Sequence, residues 1–207
     1  MSARGRLIVL EGIDGSGTTT QAHLLCGRLR ERGVDAVETR EPSAGVVGRF
    51  IRELLTGERE PAVSWDAMAL LFAADRLDHV SREIAPALQR GATVVSDRYD
   101  LSTLAYQSLT APEGSDPLEW LRAINGRAPR PDLTLVLDVS AEVAERRRGE
   151  RGGEPELFEK TELQRRLALL YARAEELVPG DRLLHIDGEG PLAEVAARVL
   201  EGVLAAP

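Results

Sequence analysis

Residues Gly12-Ile13-Asp14-Gly15-Ser16-Gly17-Thr18-Thr19 follow the frame G-x-x-x-x-G-x-[ST] between an apolar run and a helical pattern. In that setting the frame is a phosphate-binding loop: backbone amides and a helix N-terminus converge on an anion, as they would on the phosphates of ATP. Gly15 and Gly17 let the main chain approach the phosphates without side-chain clash, and Thr19 offers a hydroxyl to a magnesium ion bridging them. Thr18 stands where the frame expects lysine, and no shift of frame recovers one.

A unit charge about 4 Å from a phosphate oxygen, at an effective dielectric near 20, is worth roughly 4 kcal/mol, or about a thousandfold in rate if felt only in the transition state. A neutral hydroxyl cannot supply that, so another cation must. Lys160 is the sole lysine of the chain. The main candidates are therefore Arg146, Arg147, Arg148 and Arg151, on and just after a helix end, where a guanidinium can swing over a phosphate. Lys160 is a second candidate. For any single arginine of the run the competing reading is a solvated helix face.

Asp97-Arg98-Tyr99 directly follows a β-rich run. That order puts an acid beside the phosphate loop, and with it an arginine able to clamp a phosphoryl group.

Positioning these residues requires strands that end where the loops begin. The apolar run Leu7–Leu10 and the β-rich runs Ala92–Val95 and Leu133–Leu137 read as strands, and Val34–Thr39 and Leu183–Ile186 fit two more. Helical patterns fall at about Val47–Leu55, Trp65–Gln89, Ser102–Gln107, Pro117–Asn125, Ala141–Arg148, Leu163–Leu177 and Leu192–Leu204, besides the one after the phosphate loop. Strands that are apolar throughout and alternate with helices predict an α/β fold, a parallel five-stranded sheet with helices on both faces. Ligands of such sheets gather at the carboxyl ends of the strands, where Gly12, Arg40, Asp97 and Asp138 fall. The stretch Gly149–Pro155 reads as a mobile loop.

Composition narrows the function. A chain of 207 residues, 43% of them hydrophobic, suits one compact domain over 1–207. A net charge of -8 argues against a general nucleic-acid binder, which gains affinity by neutralising phosphates. Cys26 is the only cysteine and sits among leucines, which fits a buried thiol and excludes an internal disulfide. His23, His79 and His185 share no metal-ligand spacing. The apolar run before Glu11 is too short for a signal peptide or membrane span, so a cytoplasmic protein with no membrane partner is expected.

Four motifs in order, Glu11-Gly-Ile-Asp-Gly-Ser-Gly, Thr39-Arg-Glu-Pro42, Leu71-Phe-Ala-Ala-Asp-Arg76 and Asp97-Arg-Tyr-Asp-Leu-Ser-Thr-Leu-Ala-Tyr-Gln107, resemble those of the thymidylate kinase family of P-loop nucleoside monophosphate kinases. The similarity runs from about Leu7 to the last helix. It implies a P-loop NTPase-type sheet with an arginine-rich lid at about 146–160, transfer of the γ-phosphoryl of Mg-ATP to dTMP, and a homodimer. The long helical stretch Trp65–Gln89 could offer that dimer an apolar face.

By the resemblance, Asp14 faces the sugar 3'-hydroxyl and the metal region, and Arg98 holds the dTMP phosphate. Asp97 orients magnesium or its waters. Phe72 stacks on thymine, and Arg76 bonds the base edge or approaches the acceptor phosphate. Ser102, Thr103, Tyr106 and Gln107 line the base and sugar pocket, with Arg40 at the same strand ends. Helical spacing alone would bury Phe72 and Tyr106 as packing residues.

The chain departs from the family pattern at Thr18, and at Leu157, where an arginine commonly precedes the glutamate after the lid. Those departures leave a non-catalytic nucleotide-binding module as one alternative; another is a kinase of a different (deoxy)nucleoside monophosphate, which would keep the loop and lid but change the pocket around Phe72, Arg76 and Tyr106.

Overall fold

The computed structural model describes residues 4–59, 63–151, 157–158 and 161–206. Strands β1 (Leu7–Glu11), β2 (Ala36–Arg40), β3 (Thr93–Asp97), β4 (Leu133–Asp138) and β5 (Leu183–Asp187) form one sheet in the order β2-β3-β1-β4-β5. Every pairing is parallel. The register sets Leu10 opposite Asp97, Arg40 opposite Asp97 and Glu11 opposite Val136, so the acidic and basic strand ends meet along one rim.

The helices are α1 (Thr18–Glu31), α2 (Val46–Leu55), α3 (Trp65–His79), α4 (Ala85–Gln89), α5 (Asp100–Thr110), α6 (Leu118–Asn125), α7 (Ala141–Arg151), α8 (Thr161–Tyr171), α9 (Ala174–Leu177) and α10 (Leu192–Ala205). Alternate residues of a strand point to opposite faces, and β1 shows what covers each. Ile8 and Leu10 pack with Leu25 and Leu29 of α1 and Val195 and Val199 of α10. Leu7 and Val9 pack with Leu88 of α4 and Tyr99. Burial on both faces is why β1 and β4 are apolar with little alternation, while the edge strands β2 and β5 are only partly buried and carry charged residues. Cys26 is wholly buried in the first of these clusters, and burial pushes its thiol up to about 11.

Three sequence expectations are corrected. The stretch Trp65–Gln89 is not one regular helix: a π-helical turn, Val80–Ile84, separates α3 from α4. Pro86 lacks the N–H that a continuing ladder would use there. The pattern Leu163–Leu177 is two helices, because Arg173 leaves the helical region at φ -129°, ψ 37°.

The third correction concerns the loop expected from Gly149, since α7 continues through Gly149 to Arg151. One glycine costs a helix only about 1 kcal/mol against alanine, which the good helix formers Arg and Glu around it can absorb. Residues 152–156 of the expected loop and lid, and Lys160, lie outside the described residues. Among the described residues no helix is long and apolar enough to cross a membrane.

Candidate active site

The phosphate loop leaves β1 and enters α1 at Gly17, whose φ of 99° only glycine adopts freely. No side chain caps α1, and its first turn carries no acidic residue. The first amides of the helix are thus free for an anion. Gly15 is required for a second reason besides its φ of 89°: a Cβ there would lie 2.5 Å from the carbonyl oxygen of Ala144. Helix α7 is seated directly on the loop.

A cavity of about 660 Å³ opens over this loop. Gly15, Gly17, Thr18, Thr19 and Arg147 line it together with Arg40, Phe72, Arg98, Tyr106 and Gln107. Asp14 and Asp97 line the same cavity.

Asp14 is held from two directions. Its Oδ1 accepts from Arg98 Nη2 at 2.6 Å and its Oδ2 from Gln164 Nε2 at 2.8 Å, while its own amide donates to Gln164 Oε1 at 3.0 Å. Arg98 also donates through Nη1 to Gly12 O at 2.9 Å and Ser102 Oγ at 3.0 Å. Among the described residues it is the only non-glycine at positive φ, 70°. The left-handed conformation costs an L-residue roughly 1–2 kcal/mol, so neighbouring groups must hold it.

Thr19 Oγ1 donates to Asp97 Oδ2 at 2.5 Å, and Asp97 Oδ1 is buried with no partner. A hydroxyl and a carboxylate with a spare oxygen are hard oxygen donors of the kind magnesium takes. Among the described residues no group of three or more His, Cys, Asp or Glu could hold a metal ion. A magnesium ion at Thr19 and Asp97 would complete its shell with phosphate oxygens and water, its usual habit.

On the acceptor side Phe72 is half-buried, lines the cavity and belongs to none of the three hydrophobic clusters. It is a wall of the site rather than core. Tyr106 carries the Arg98 guanidinium over its ring at 5.4 Å, and Phe158 meets the ring edge-on at 5.7 Å. Burial pushes the Tyr106 hydroxyl far above its ordinary range, so it stays a neutral donor, and neither it nor Gln107 Nε2 has a partner.

Several predicted residues are engaged by the protein itself. Arg76 is 1% exposed, with its terminal nitrogens engaged by Glu41 Oε2 at 2.7 Å, Tyr99 O and Thr103 Oγ1 at 3.0 Å each, and Asn125 Oδ1. Only Nε remains unpartnered, which makes Arg76 the hub of the acceptor wall more than a free clamp. Ile13 packs into the hydrophobic cluster, so only its main chain can serve ATP. Ser16 Oγ is buried without a partner.

The arginine run divides. Arg147 donates to Ser16 O at 3.2 Å and Gly188 O at 3.0 Å, and Arg148 bonds the carbonyl of Asp14. Arg146 is exposed and outside the cavity. Arg151 is described only as the last residue of α7.

Sequence reasoning missed Gln164, Glu11 and Arg52. Gln164 is wholly buried and ties Asp14 to Phe158 O at 2.7 Å. Arg52 lines the cavity beside Arg40 and donates to Pro42 O at 3.0 Å. For Glu11 a signal was available, since a carboxylate closing an otherwise apolar central strand must be paired.

Residues 10–199 match the family model described as thymidylate kinase. The chain is 44% identical over 188 residues to a probable thymidylate kinase of Pyrococcus abyssi, covering 88% of each chain. It is 38% identical over 205 residues to a thymidylate kinase of Alkalilimnicola ehrlichii, covering 98% of this chain and 94% of that one. A thymidylate kinase of Rhizorhabdus wittichii is 40% identical over 202 residues, with 96% and 97% covered.

Proposed function

This chain belongs to the thymidylate kinase family, and we propose that it transfers the γ-phosphoryl of Mg-ATP to dTMP, giving dTDP and ADP. The observation that carries the reading is a single cavity in which the phosphate loop faces Arg98, Phe72 and Tyr106. Transfer needs donor and acceptor held in line with their charge neutralised, and little else.

In this reading the loop amides and the start of α1 hold the ATP phosphates, while Thr19 and Asp97 hold magnesium. The metal, when bound, neutralises charge on the phosphates and bridges them. Arg98 and Asp14 fix the acceptor phosphate and sugar. Phe72 carries the base, Gln107 and Thr103 border it, and Tyr106 closes the space a ribose 2'-hydroxyl would need. Arg147 takes over the charge that Thr18 lacks. The acceptor phosphate is itself the nucleophile and is largely ionised at neutral pH, its second pKa being about 6, so no strong general base is required.

The test is a screen of nucleoside monophosphates with coupled detection of ADP. dTMP is expected to give the highest kcat/KM, and turnover with no monophosphate above a loop-deleted control would overturn the reading. A second expectation concerns the metal. Asp97→Asn removes the charge of one of its two anchors and should raise the magnesium concentration for half-maximal rate tenfold or more, read from a magnesium titration at saturating ATP.

The reading includes a cytoplasmic homodimer. Leu70 and Leu77 lie on one face of α3, 50% and 36% exposed, and support a symmetric apolar contact. Light scattering of the purified chain tests it.

A further inference from the structure

Arg98 is aimed by a backbone conformation that its own residue type disfavours, φ 70°. Its main chain is fixed on both sides: its amide donates to Leu10 O at 2.9 Å and its carbonyl accepts from Ser96 Oγ at 2.7 Å. The chain after it is gathered by one side chain. Glu11 Oε1 accepts from the amides of Tyr99 at 2.8 Å and Ser102 at 3.2 Å. Glu11 Oε2 accepts from Ser102 Oγ at 2.6 Å and Tyr171 Oη at 3.1 Å. The same Ser102 hydroxyl receives Arg98 Nη1 at 3.0 Å, so one carboxylate supports both the turn and the guanidinium it carries.

Glu11 is fully buried and does not line the cavity, so it cannot touch substrate. We infer that Glu11 is a positioning residue: its carboxylate holds the turn after β3 in the left-handed form and thereby aims Arg98 at the acceptor phosphate. The inference rests on the assignment of Arg98 made above.

The charge is kept at a cost to the fold. Burial raises the Glu11 carboxyl to about 7, against the lowering by Arg98 and its hydrogen bonds from Ser102 and Tyr99, and with Asp100 adding a small upward push. Arg98 and Asp100 face it from the turn and α5, and Tyr171 from α8. A carboxyl raised in the folded state stabilises below its ordinary range and loses that stabilisation as pH rises through about 7. Ionised, Glu11 serves the turn and burdens the fold, which is the pattern of a functional group rather than a structural one.

Glu11→Gln keeps the shape and removes the charge. At pH 8 it is expected to lower kcat/KM for dTMP tenfold or more while KM for ATP stays within twofold. Its thermal midpoint relative to the parent should move in the variant's favour between pH 5 and pH 8. Added to Arg98→Met it should cost little further, because both act on one group.

Unchanged dTMP kinetics in Glu11→Gln, or equal losses for both substrates with a lower midpoint at every pH, overturns the inference. If Arg98→Met itself leaves dTMP kinetics intact, it is the assignment of Arg98 that fails. Glu11→Asp keeps the charge but draws it back by one methylene, and should show the same acceptor-selective loss if the glutamine variant does not fold.

Discussion

Arg147→Ala is expected to lower kcat about a hundredfold or more, with Arg146→Ala within severalfold of the parent. The charge lost with the loop lysine is worth roughly 4 kcal/mol near a phosphate, of which about 2.7 kcal/mol accounts for a hundredfold. Of the described members of the arginine run, Arg147 alone lines the cavity, anchored to Ser16 O within the phosphate loop and to Gly188 O just after β5. A guanidinium tied at both ends is preorganised, which is where electrostatic catalysis draws its strength.

The complementary experiment restores the charge elsewhere. Thr18→Lys in the Arg147→Ala background should recover at least tenfold in steady-state kcat, since the new ammonium enters the same cavity from the loop. If Arg146, Arg147, Arg148, Arg151 and Lys160 each give near-neutral alanine variants, no substitute cation resides in this segment.

Arg98→Met should lower kcat/KM for dTMP by two decades or more and leave KM for ATP nearly unchanged. Removing one partner of a buried, hydrogen-bonded charge pair costs about 2–5 kcal/mol, and each 1.36 kcal/mol is about a decade. Arg98 is mostly buried, 18% exposed in its side chain, and its partner Asp14 is left facing the acceptor space with an uncompensated charge. Methionine fills most of the same volume, so the loss reports charge rather than a hole. Single-turnover measurements with dTMP varied would check it, and a loss smaller than threefold would remove Arg98 from the acceptor site.

Much of this site could be read from the chain itself because its signals are local. Gly15 and Gly17 announce a loop that no other residue type builds, and strands buried on both faces leave uninterrupted apolar runs such as Leu133–Leu137. The acidic strand ends could be seen because polar residues follow the apolar run abruptly.

What escaped is set by long-range geometry. Gln164 meets Asp14 across 150 positions, and Glu11 meets Tyr171 across 160. Neither Gln164 nor Tyr171 carries a mark in its own neighbourhood. Phe72 shows the same limit in reverse: helical spacing alone assigns it to the core, whereas the family resemblance puts it in the pocket, and its ring lines the cavity beside α3. The extent of α7 was misjudged because glycine and charge look like loop, although helix propensity alone tolerates them there.

The close approach of Gly15 to Ala144 O leaves no room for a side chain between the loop and α7, so the two are packed directly on each other. Arg147 lies three positions beyond Ala144, so where the helix sits decides whether its guanidinium reaches Ser16 O of the loop. A one-residue insertion between them would turn the guanidinium about 100° away from the cavity. In the proposed reading the eight-residue loop is only part of the phosphate-binding signature of this protein. The remainder is written more than a hundred residues later, and a reader scanning contiguous letters would find the signature broken where the folded chain splices it together.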